Sequence, residues 1–355
     1  MRLISPVLQR VIYPALGTVG FFHSHCPGSV RVVTYHGVLP EGYESTDAFV
    51  DDALVSAAAF RWQLRLLKKH YNVISPGRFR RWISKLDDLP ERAVLLTCDD
   101  GLLNNATTML PILEEEGLTC LFFVTGGSAS ASPGMLWYME LYVMIMQARG
   151  HHEPRDWQGN AVCVIPADAE GKRACWFELM KTLSRLGRQK RYDFLRDAAR
   201  WWGLETEWRQ RFLDDPLRRE RFQLMGECEL KRMTDAGMGI GAHTMSHPIL
   251  SEQSSEEAHD EIDSCREVLR KSSGQDVWAL AYPFGDPQSV GAREYNYAEA
   301  GGYDCAFVNV GGALDWKFSR FALPRIHVTG AMSLPVYEAH VSGFHGSLQK
   351  RMRAG

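Results

Sequence analysis

Two adjacent carboxylates end an apolar run in the stretch "LLTCDDG", where Asp99 and Asp100 are followed by Gly101. Like charges side by side repel one another, and at the edge of a core each also loses hydration. A strand that ends in an Asp-Gly turn is the simple explanation. The alternative is a site that uses the two carboxylates differently, one to bind a cation and the other to act as a base.

Two histidines, His243 and His247, lie four residues apart in "GAHTMSHPIL". One helical turn would bring both imidazoles to the same side, as metal ligands require. The glutamate that follows the first histidine in the zincin motif is missing. Two unrelated histidines in a turn would give the same pattern, so the pair alone does not establish a site.

The position of these residues along the chain favours a shared site. Asp99, Asp100, His243 and His247 all follow β-like runs, as do His36 and the segment 282–285. In an α/β barrel the carboxyl ends of the strands converge on one face, where active sites lie. Two histidines and one carboxylate are common ligands of a hydrolytic zinc that keeps one position open for water. The second carboxylate would then be free to take the proton of that water.

The elements that would position these residues alternate between short apolar strands and helices. Eight strands are predicted, beginning near residues 30, 71, 93, 118, 238, 277, 305 and 322. Helical periodicity or capping marks Phe60–His70, "NNATTMLPILEEEG" and Ser254–Gly274. This alternation predicts a parallel sheet, either closed into a barrel or doubly wound. From about residue 126 to 223 amphipathic helical runs dominate, which predicts a mostly helical insertion.

Composition excludes several classes of protein. The 355 residues suit one barrel-sized domain or two ordinary domains. A formal net charge of -3 lacks the basic excess of nucleic-acid-binding proteins, so no nucleic-acid partner is expected. The eight cysteines contain no C-x-x-C pair, which argues against a zinc ribbon and predicts mostly reduced thiols.

The N-terminal segment, residues 1–29, is apolar. Its core "VIYPALGTVGFF" has the length of a signal-peptide core, but no small-x-small cleavage site follows it. It is too short, and too interrupted by Pro14 and Gly17, to span a bilayer. We expect a segment that lies on a membrane surface or on the domain itself. The protein is then cytoplasmic or membrane-associated, with secretion as the open alternative.

The motifs together resemble the NodB-homology polysaccharide deacetylases (carbohydrate esterase family 4), in the form found in exopolysaccharide clusters. "LLTCDDG" is similar to the first family motif, T-F-D-D-G, and "HTMSHP" to the second, H-[ST]-x-x-H-P. "LAYPFG" resembles the third motif, and "TYHGV" and "LPRIHV" resemble the opening and closing strands. The resemblance covers about residues 31–330 and is weakest in the helical insertion.

The resemblance implies a fold, an activity and a cofactor. The fold is a distorted (β/α)7 barrel, placed here at residues 30–330, with an insertion at about 126–223 and a C-terminal tail at 331–355. The activity is metal-dependent removal of N-acetyl or O-acetyl groups from a sugar in a polysaccharide or glycolipid, in exopolysaccharide biosynthesis. The cofactor is one divalent metal ion, with Zn²⁺ expected first and Co²⁺, Ni²⁺ or Mn²⁺ as alternatives.

The resemblance also implies roles for particular residues. Asp99 corresponds to the catalytic base, and Asp100, His243 and His247 correspond to the metal ligands. Substrate is expected at Tyr282 and Pro283, where a backbone N–H near Tyr282 would help to hold the oxyanion.

Two departures from the family pattern concern charge and acid catalysis. Ala279–Ala281 stand where the arginine of the third motif would lie, so we expect Arg325 to supply that charge within ion-pair reach of Asp99; a surface or barrel-end salt bridge is the alternative. The general acid is assigned to His327. Residues two apart on a strand share a face, so Arg325 and His327 should point inward together. His36 would line the pocket or satisfy a hydrogen bond in the core.

Three other features leave alternatives open. The stretch Met135–Gln147 is dense in aromatic and methionine residues, and could be the core of the insertion or an aromatic wall for sugar rings beside the metal. The pair Asp315–Trp316 resembles the fourth family motif or is a loop aromatic. Cys98 replaces the usual phenylalanine, a packing change.

Two rival functions remain. One is a deformylase or amide hydrolase of the same fold that acts on a small molecule or a sugar-lipid. The other is a barrel that binds glycan without turnover, and the intact base Asp99 argues against it.

Overall fold

The computed structural model describes residues 4–24, 30–45, 47–131, 133–148, 165–312, 314 and 318–348. Parts of the predicted N-terminal segment and C-terminal tail, and the pair Asp315–Trp316, lie outside the described residues. In chain order the strands are β1 (Arg31–Tyr35), β2 (Val38–Leu39), β3 (Val55–Ser56), β4 (Asn72–Ile74), β5 (Ala93–Cys98), β6 (Leu121–Val124), β7 (Gly239–Ala242), β8 (Ala279–Ala281), β9 (Cys305–Phe307) and β10 (Ile326–His327).

Eight of these strands form one curled sheet in the order β10-β1-β5-β6-β7-β8-β9, with β4 pairing beside the start of β5. Each pairing between named strands of this sheet is parallel. Parallel strands need long crossovers, and the helices that provide them cover the outer face of the sheet. The short strands β2 and β3 form a separate parallel pair.

The last strand segment contacts both edges of the sheet. The amide of Leu323 donates to the carbonyl of Ala306 at 2.9 Å, and the amide of Val308 donates to the carbonyl of Leu323 at 2.9 Å. A few residues later Ile326 pairs with Val33 in β1. The sheet is thus the distorted (β/α)7 barrel that the family resemblance predicts, and the doubly wound alternative is wrong.

Alternation along the strands separates an inner from an outer set of apolar side chains. Leu95, Phe123 and Phe307 belong to the inner cluster, whereas Leu96 and Phe122 pack beneath the helices. The inner space is tight. A Cβ on Gly241 would lie 2.5 Å from the Phe123 ring, so this position requires glycine.

Within the described residues there are sixteen α-helices, which pack around the barrel or build the insertion. They are α1 (Ile4–Val7), α2 (Tyr13–Thr18), α3 (Phe21–Ser24), α4 (Ala48–Asp51), α5 (Ala57–His70), α6 (Pro76–Ile83), α7 (Leu110–Glu116), α8 (Trp137–Gln147), α9 (Ala169–Leu183), α10 (Arg188–Trp201), α11 (Trp208–Leu213), α12 (Pro216–Phe222), α13 (Glu227–Asp235), α14 (Ser255–Ser273), α15 (Ala292–Ala300) and α16 (Leu334–Val341). The predicted capping is confirmed for α14, where the Ser254 side chain accepts from the Glu257 amide and Gly274 ends the helix at φ +68°. None of the described helices has the length and apolar content needed to cross a membrane.

Each of the eight predicted strand segments contains a strand, and the predicted insertion is helical. Helices α8 to α12 pack around a core of their own, formed by side chains such as Leu141, Leu179 and Trp202. The domain boundaries at residues 29 and 330 stay predictions. Of the cysteines whose state is described, five are free thiols and Cys175 is disulfide-bonded.

The N-terminal helices pack against α16. Tyr13 and Phe22 share a small apolar cluster with Val336 and Ala339. The Tyr13 hydroxyl lies 2.7 Å from Nδ1 of His345, and that imidazole stacks on His340 at 4.0 Å between ring centroids. The two ends of the described chain therefore form one packed unit.

This unit should loosen on acidification. Burial lowers the pKa of His340 to about 4, helped by the charge of His345. Between about pH 6.5 and 4, His340 is therefore protonated in the unfolded chain but neutral in the packed unit. The free energy of unfolding falls as the pH falls through that window. At about 1.4 kcal/mol per pKa unit, the loss approaches roughly 3 kcal/mol.

Hydrogen exchange of the amides in α2 and α16 measures this effect. After division by the intrinsic exchange rate at each pH, we expect weaker protection of these amides at pH 5 than at pH 7 in the native chain and a much smaller pH effect in His340→Gln. His259→Gln, which changes a histidine on α14 paired with Asp263 at 3.3 Å, should keep the native response. Equal pH responses in both variants would contradict the assignment to His340.

Candidate active site

Inward-facing side chains meet at the carboxyl end of the barrel. His36 follows β1, Asp99 follows β5, His243 follows β7, and His327 ends β10. The charges of His243 and His36 act on Asp99, and those of His36 and Asp99 act on His327. The strand ends that sequence analysis selected therefore do converge on one face.

Three of the selected residues form a buried cluster with the ligand atoms of a metal site. Oδ1 of Asp100 lies 3.5 Å from Nε2 of His243 and 3.3 Å from Nε2 of His247. The three ligand atoms lie within 4.8 Å of one another, and all three residues are buried. Burial raises the pKa of Asp100, but the two imidazoles beside it hold that pKa well below its usual range.

The donor set fits a divalent cation. Oδ1 of Asp100 is buried and has no hydrogen-bond partner, an arrangement that is costly unless a cation occupies the space beside it. Nδ1 of His243 lies 2.7 Å from the carbonyl oxygen of Ala281, so the proton on Nδ1 is held there and the Nε2 lone pair faces the cluster. Two imidazole nitrogens and one carboxylate oxygen suit zinc and its neighbours in the first transition series.

Left-handed backbone conformations turn the ligands toward one another. Asp100 has φ +77° and Gly101 has φ +79°, while Thr244 and His247 have φ +64° and +56°. Non-glycine residues adopt this region rarely, and such strain concentrates at functional sites. A Cβ on Gly101 would lie 2.8 Å from Oγ of Ser128, so only glycine fits directly after the carboxylate pair.

Asp99 is held by a buried arginine. Nη1 and Nη2 of Arg325 each lie 2.7 Å from a different carboxylate oxygen of Asp99, and Nη1 also donates to Thr34 Oγ1 at 3.1 Å. Arg325 is only 1% exposed, so the surface salt bridge considered for it is wrong and the ion pair predicted for it is present. Burial raises the pKa of Asp99, but the charges of Arg325 and His243 outweigh this and lower it. Asp99 is therefore ionised near neutral pH.

His327 faces the same cavity, as its two-residue spacing from Arg325 predicts. Its ring lies 4.7 Å from that of His36, edge to face, and Nε2 of His327 and Nδ1 of His36 are buried without a hydrogen-bond partner. Burial, together with the charge of His36, lowers the pKa of His327 to about 3. In this state His327 is neutral at pH 7, so acting as a general acid would require it to take up a proton first.

The amide and hydroxyl of Tyr282 are both hydrogen-bonded within the fold, so the oxyanion contact and substrate role expected near this residue stay a prediction. Its amide donates to the carbonyl of Phe307 within the sheet at 3.1 Å, and its hydroxyl donates to the carbonyl of Phe321 at 3.2 Å. The side chain follows the inward-facing Ala281 and so points outward, into the core beneath the helices. The turn at Pro283 carries the chain back to the site, where the ring of Phe284 lies 5.1 Å from that of His247. Pro283 itself is buried, and its substrate role stays a prediction.

The first turn of α8 forms an aromatic wall beside the ligands. The indole N–H of Trp137 donates to the carbonyl of His247 at 2.9 Å, and the ring of Tyr138 lies 5.2 Å from the His247 ring. The following residues, including Leu141 and Met144, belong to the core of the insertion. Most of the stretch is therefore core of the insertion, and its start places aromatic rings beside the candidate ligands; the contact of these rings with a sugar stays a prediction.

A buried polar group that the sequence patterns do not indicate supports the loop that carries His247. Nη2 of Arg191, on α10, contacts Oγ of Ser246 at 2.5 Å, and Ser246 donates to Glu261 on α14 through Oγ at 2.5 Å and through its amide at 2.8 Å. The guanidinium of Arg191 also lies 5.4 Å above the Trp137 ring. Arg191 belongs to a basic run on an amphipathic helix, and this pattern predicts exposed side chains, not a buried arginine.

Comparison with known proteins agrees with this architecture. The family model for polysaccharide deacetylase matches residues 87–153 and 212–305. A search of curated proteins finds no match.

Solved structures share the fold at low sequence identity. The deacetylase PplD of Streptococcus pyogenes in complex with acetate is 17% identical with a TM-score of 0.56, covering 89% of this chain and 99% of that one. IcaB from Ammonifex degensii is 16% identical with a TM-score of 0.55, covering 89% and 97%. A de-N-acetylase from Aggregatibacter actinomycetemcomitans is 14% identical with a TM-score of 0.53, covering 88% and 99%.

The fold is that of a parallel (β/α)7 barrel with its polar residues gathered at the carboxyl ends of the strands. Because the family model matches on both sides of the insertion and these structures share the barrel, the chain is similar to the polysaccharide deacetylases.

Replacing Arg325 should shift the pH dependence of any turnover that uses Asp99. In Arg325→Gln the buried carboxylate loses its main opposite charge, so its pKa rises and the base is lost at a higher pH than in the native protein. The acid limb of the kcat/KM profile should move to higher pH. The free energy of unfolding should fall by about 3–5 kcal/mol, because a buried charge is left unpaired. Arg325→Lys should shift the limb less, and an unchanged limb in a folded Arg325→Gln would contradict this role.

Removing the Ser246 hydroxyl should weaken metal binding without removing a ligand. In Ser246→Ala the loop that carries His247 loses its contacts with Arg191 and with one oxygen of Glu261. Outer partners of metal ligands typically contribute about 10- to 100-fold to affinity. Titration with zinc should show a loss in this range, whereas Ser251→Ala, which removes an exposed hydroxyl bonded to the Gln288 carbonyl, should bind as the native chain does.

Proposed function

We propose that this protein is a metal-dependent hydrolase that removes an acetyl group from a sugar of a polysaccharide or glycolipid during exopolysaccharide biosynthesis. One observation carries the proposal: the buried cluster of Asp100, His243 and His247 lies beside a carboxylate, Asp99, that is separately paired with Arg325. An N-acetyl group is the first candidate and an O-acetyl group the second. The family supplies the class of substrate, an acetylated carbohydrate.

The ligand cluster and Asp99 have different roles in activating water: the cluster would hold the metal ion, and Asp99 accepts a proton. A divalent ion bound by Asp100, His243 and His247 would polarise the acetyl carbonyl and lower the pKa of a water molecule, with Zn²⁺ as the first candidate and Co²⁺, Ni²⁺ or Mn²⁺ as alternatives. Asp99 accepts the proton of the attacking water, since each of its oxygens keeps a lone pair beyond its contact with Arg325. The lowered pKa keeps Asp99 ionised but makes it a weak base, so it suits only a water that is already acidified.

The proton removed from water must reach the departing nitrogen. His327 faces the cavity with a buried, unpartnered Nε2, and Asp99 is close enough to favour the charged imidazole. We assign His327 as the group that receives this proton and passes it to the nitrogen as the C–N bond breaks. His36, whose ring lies 4.7 Å away, is assigned to orient His327 and to line the pocket. The products are acetate and a free amine.

Aromatic rings beside the ligands support a sugar as the substrate. Tyr138 and Phe284 lie within 6.4 Å of each other and both contact His247. Aromatic faces pack against the apolar face of a sugar ring while polar groups hold its hydroxyls.

The rival functions make different demands on the same residues. A deformylase or amide hydrolase of this fold would use the same ligands and base but would release formate or another acid. A barrel that only binds glycan has no need of an ionised carboxylate beside the ligands, and Asp99 is buried and paired here at a cost that such a protein could avoid.

Two variants separate metal binding from turnover. His243→Ala should lose the metal, as measured by elemental analysis, because one of the three ligands is gone. Asp99→Asn should keep the metal and lose roughly 10²–10⁴-fold in rate, the usual contribution of a general base. Asp193→Asn, an exposed carboxylate on α10, is the matched control and should retain both properties.

Acetate and formate release should both be measured on a panel of acetylated and formylated sugars. Acetate release that depends on the metal is the expected result. Formate release in its place would favour the rival amide hydrolase. Near-native rates in Asp99→Asn would show that Asp99 is not the base.

A further inference from the structure

An exposed apolar face runs along the N-terminal helices. The opposite face, with Tyr13 and Phe22, packs on α16, so the exposed side chains are those left over from this packing. They are Val7, Val11, Ile12 and Val19, with exposed fractions of 52%, 61%, 39% and 76%. Val7 and Val11 are one helical turn apart and lie on the same side. We call these four residues the N-terminal platform.

The exposed charge beside the N-terminal platform is positive. The exposed Arg10 lies between Val7 and Val11 in the sequence. Residues 1–40 and 339–355 contain no aspartate or glutamate, although the whole chain carries a formal charge of -3. Within the described residues 4–24 and 333–348 the one acidic residue is Glu338, which is only 8% exposed.

Packing joins the two basic ends of the chain. The rings of Phe21 and Phe344 lie 5.4 Å apart, and Tyr13 bonds to His345. The chain therefore reaches residue 348 beside the N-terminal helices, and three further cations follow in sequence: Lys350, Arg351 and Arg353. Exposed apolar side chains beside an exposed arginine, in helices where the one described acidic neighbour in sequence is buried, match the surface of an anionic bilayer.

We propose that the N-terminal platform binds peripherally to an anionic lipid surface. Valine side chains would enter the boundary between headgroups and acyl chains while Arg10 contacts lipid phosphates. A second copy of the chain fits the face less well, because a symmetric contact would place two cationic patches against each other. This binding does not depend on the proposed deacetylation; if that function holds, the platform would bring the barrel to a glycan assembled at a membrane.

Vesicle sedimentation with the full chain tests the proposal. We expect the protein to pellet with vesicles that contain phosphatidylglycerol and phosphatidylcholine, less so at high salt, and weakly with phosphatidylcholine alone. Val7→Glu with Val11→Glu should reduce binding at least about tenfold, because two apolar anchors become anions. Arg10→Gln should reduce binding to the anionic vesicles only. Leu86→Glu, which changes an apolar residue 76% exposed after α6, is the matched control and should bind as the native chain does.

The other outcomes overturn the proposal. Equal binding by the native chain and by the double variant would show that another surface contacts lipid, and no pelleting with either vesicle would show that none does. A concentration-dependent dimer that the double variant abolishes would assign the face to a second copy. Acetate release from a soluble substrate should be unchanged in the double variant, so a failure of the lipid proposal is distinguishable from a failure of the proposed function.

Discussion

Asp99 and Arg325 face one another inside the barrel through two contacts of 2.7 Å, although 226 residues separate them in the chain. A carboxylate in so dry a place must be neutralised by a partner, and the partner must itself be satisfied. Arg325 also donates to Thr34, and its guanidinium lies over the rings of Phe123 and Phe307, at 5.5 and 6.0 Å from their centroids, while its Nε is buried without a hydrogen-bond partner. The pair can form only when the last strand lies beside β1. The candidate base is therefore held in its ionised form only once the barrel has closed.

The second carboxylate of the pair is separated from the first by backbone conformation. Asp99 follows the alternation of β5 and points inward, whereas the left-handed conformation of Asp100 turns its side chain toward His243 and His247. Two neighbouring anions can then serve different partners, one a guanidinium and the other the pair of imidazoles. This explains how adjacent like charges are tolerated: Asp99 faces a guanidinium, Asp100 faces the two imidazoles of the candidate metal site, and the left-handed turn directs the two carboxylates apart.

The helical insertion is both a separate core and a part of the site. Most of α8 packs among the other helices of the insertion, yet Trp137 and Tyr138 at its start contact His247. Arg191 links α10 to the loop between the two histidines through Ser246. The insertion therefore cannot shift without disturbing a candidate ligand. The geometry of the ligands in this chain depends on a segment for which the family pattern is weakest.

Local pattern was enough to predict much of this protein. Short apolar runs located the eight strands. The two-residue period placed Arg325 and His327 on one face, because side-chain direction along a strand depends only on parity. Capping residues located α14, since its end groups must be satisfied by nearby side chains. The types and spacing of Asp99, Asp100, His243 and His247 indicated a metal site, because parallel strands bring their carboxyl ends to one face.

Tertiary structure decided what depends on distance and burial. The pairing of Tyr282 with Phe307, which removes its amide from the site, follows from the register of two strands. The low pKa of His327 follows from its burial beside His36, which no local pattern reports. The contact of Arg191 with Ser246 joins residues 55 apart in the chain. These two segments meet only because the insertion packs against the barrel, which neither local sequence predicts. Periodicity sets the direction in which a side chain points, but its partner depends on how the whole chain closes around it.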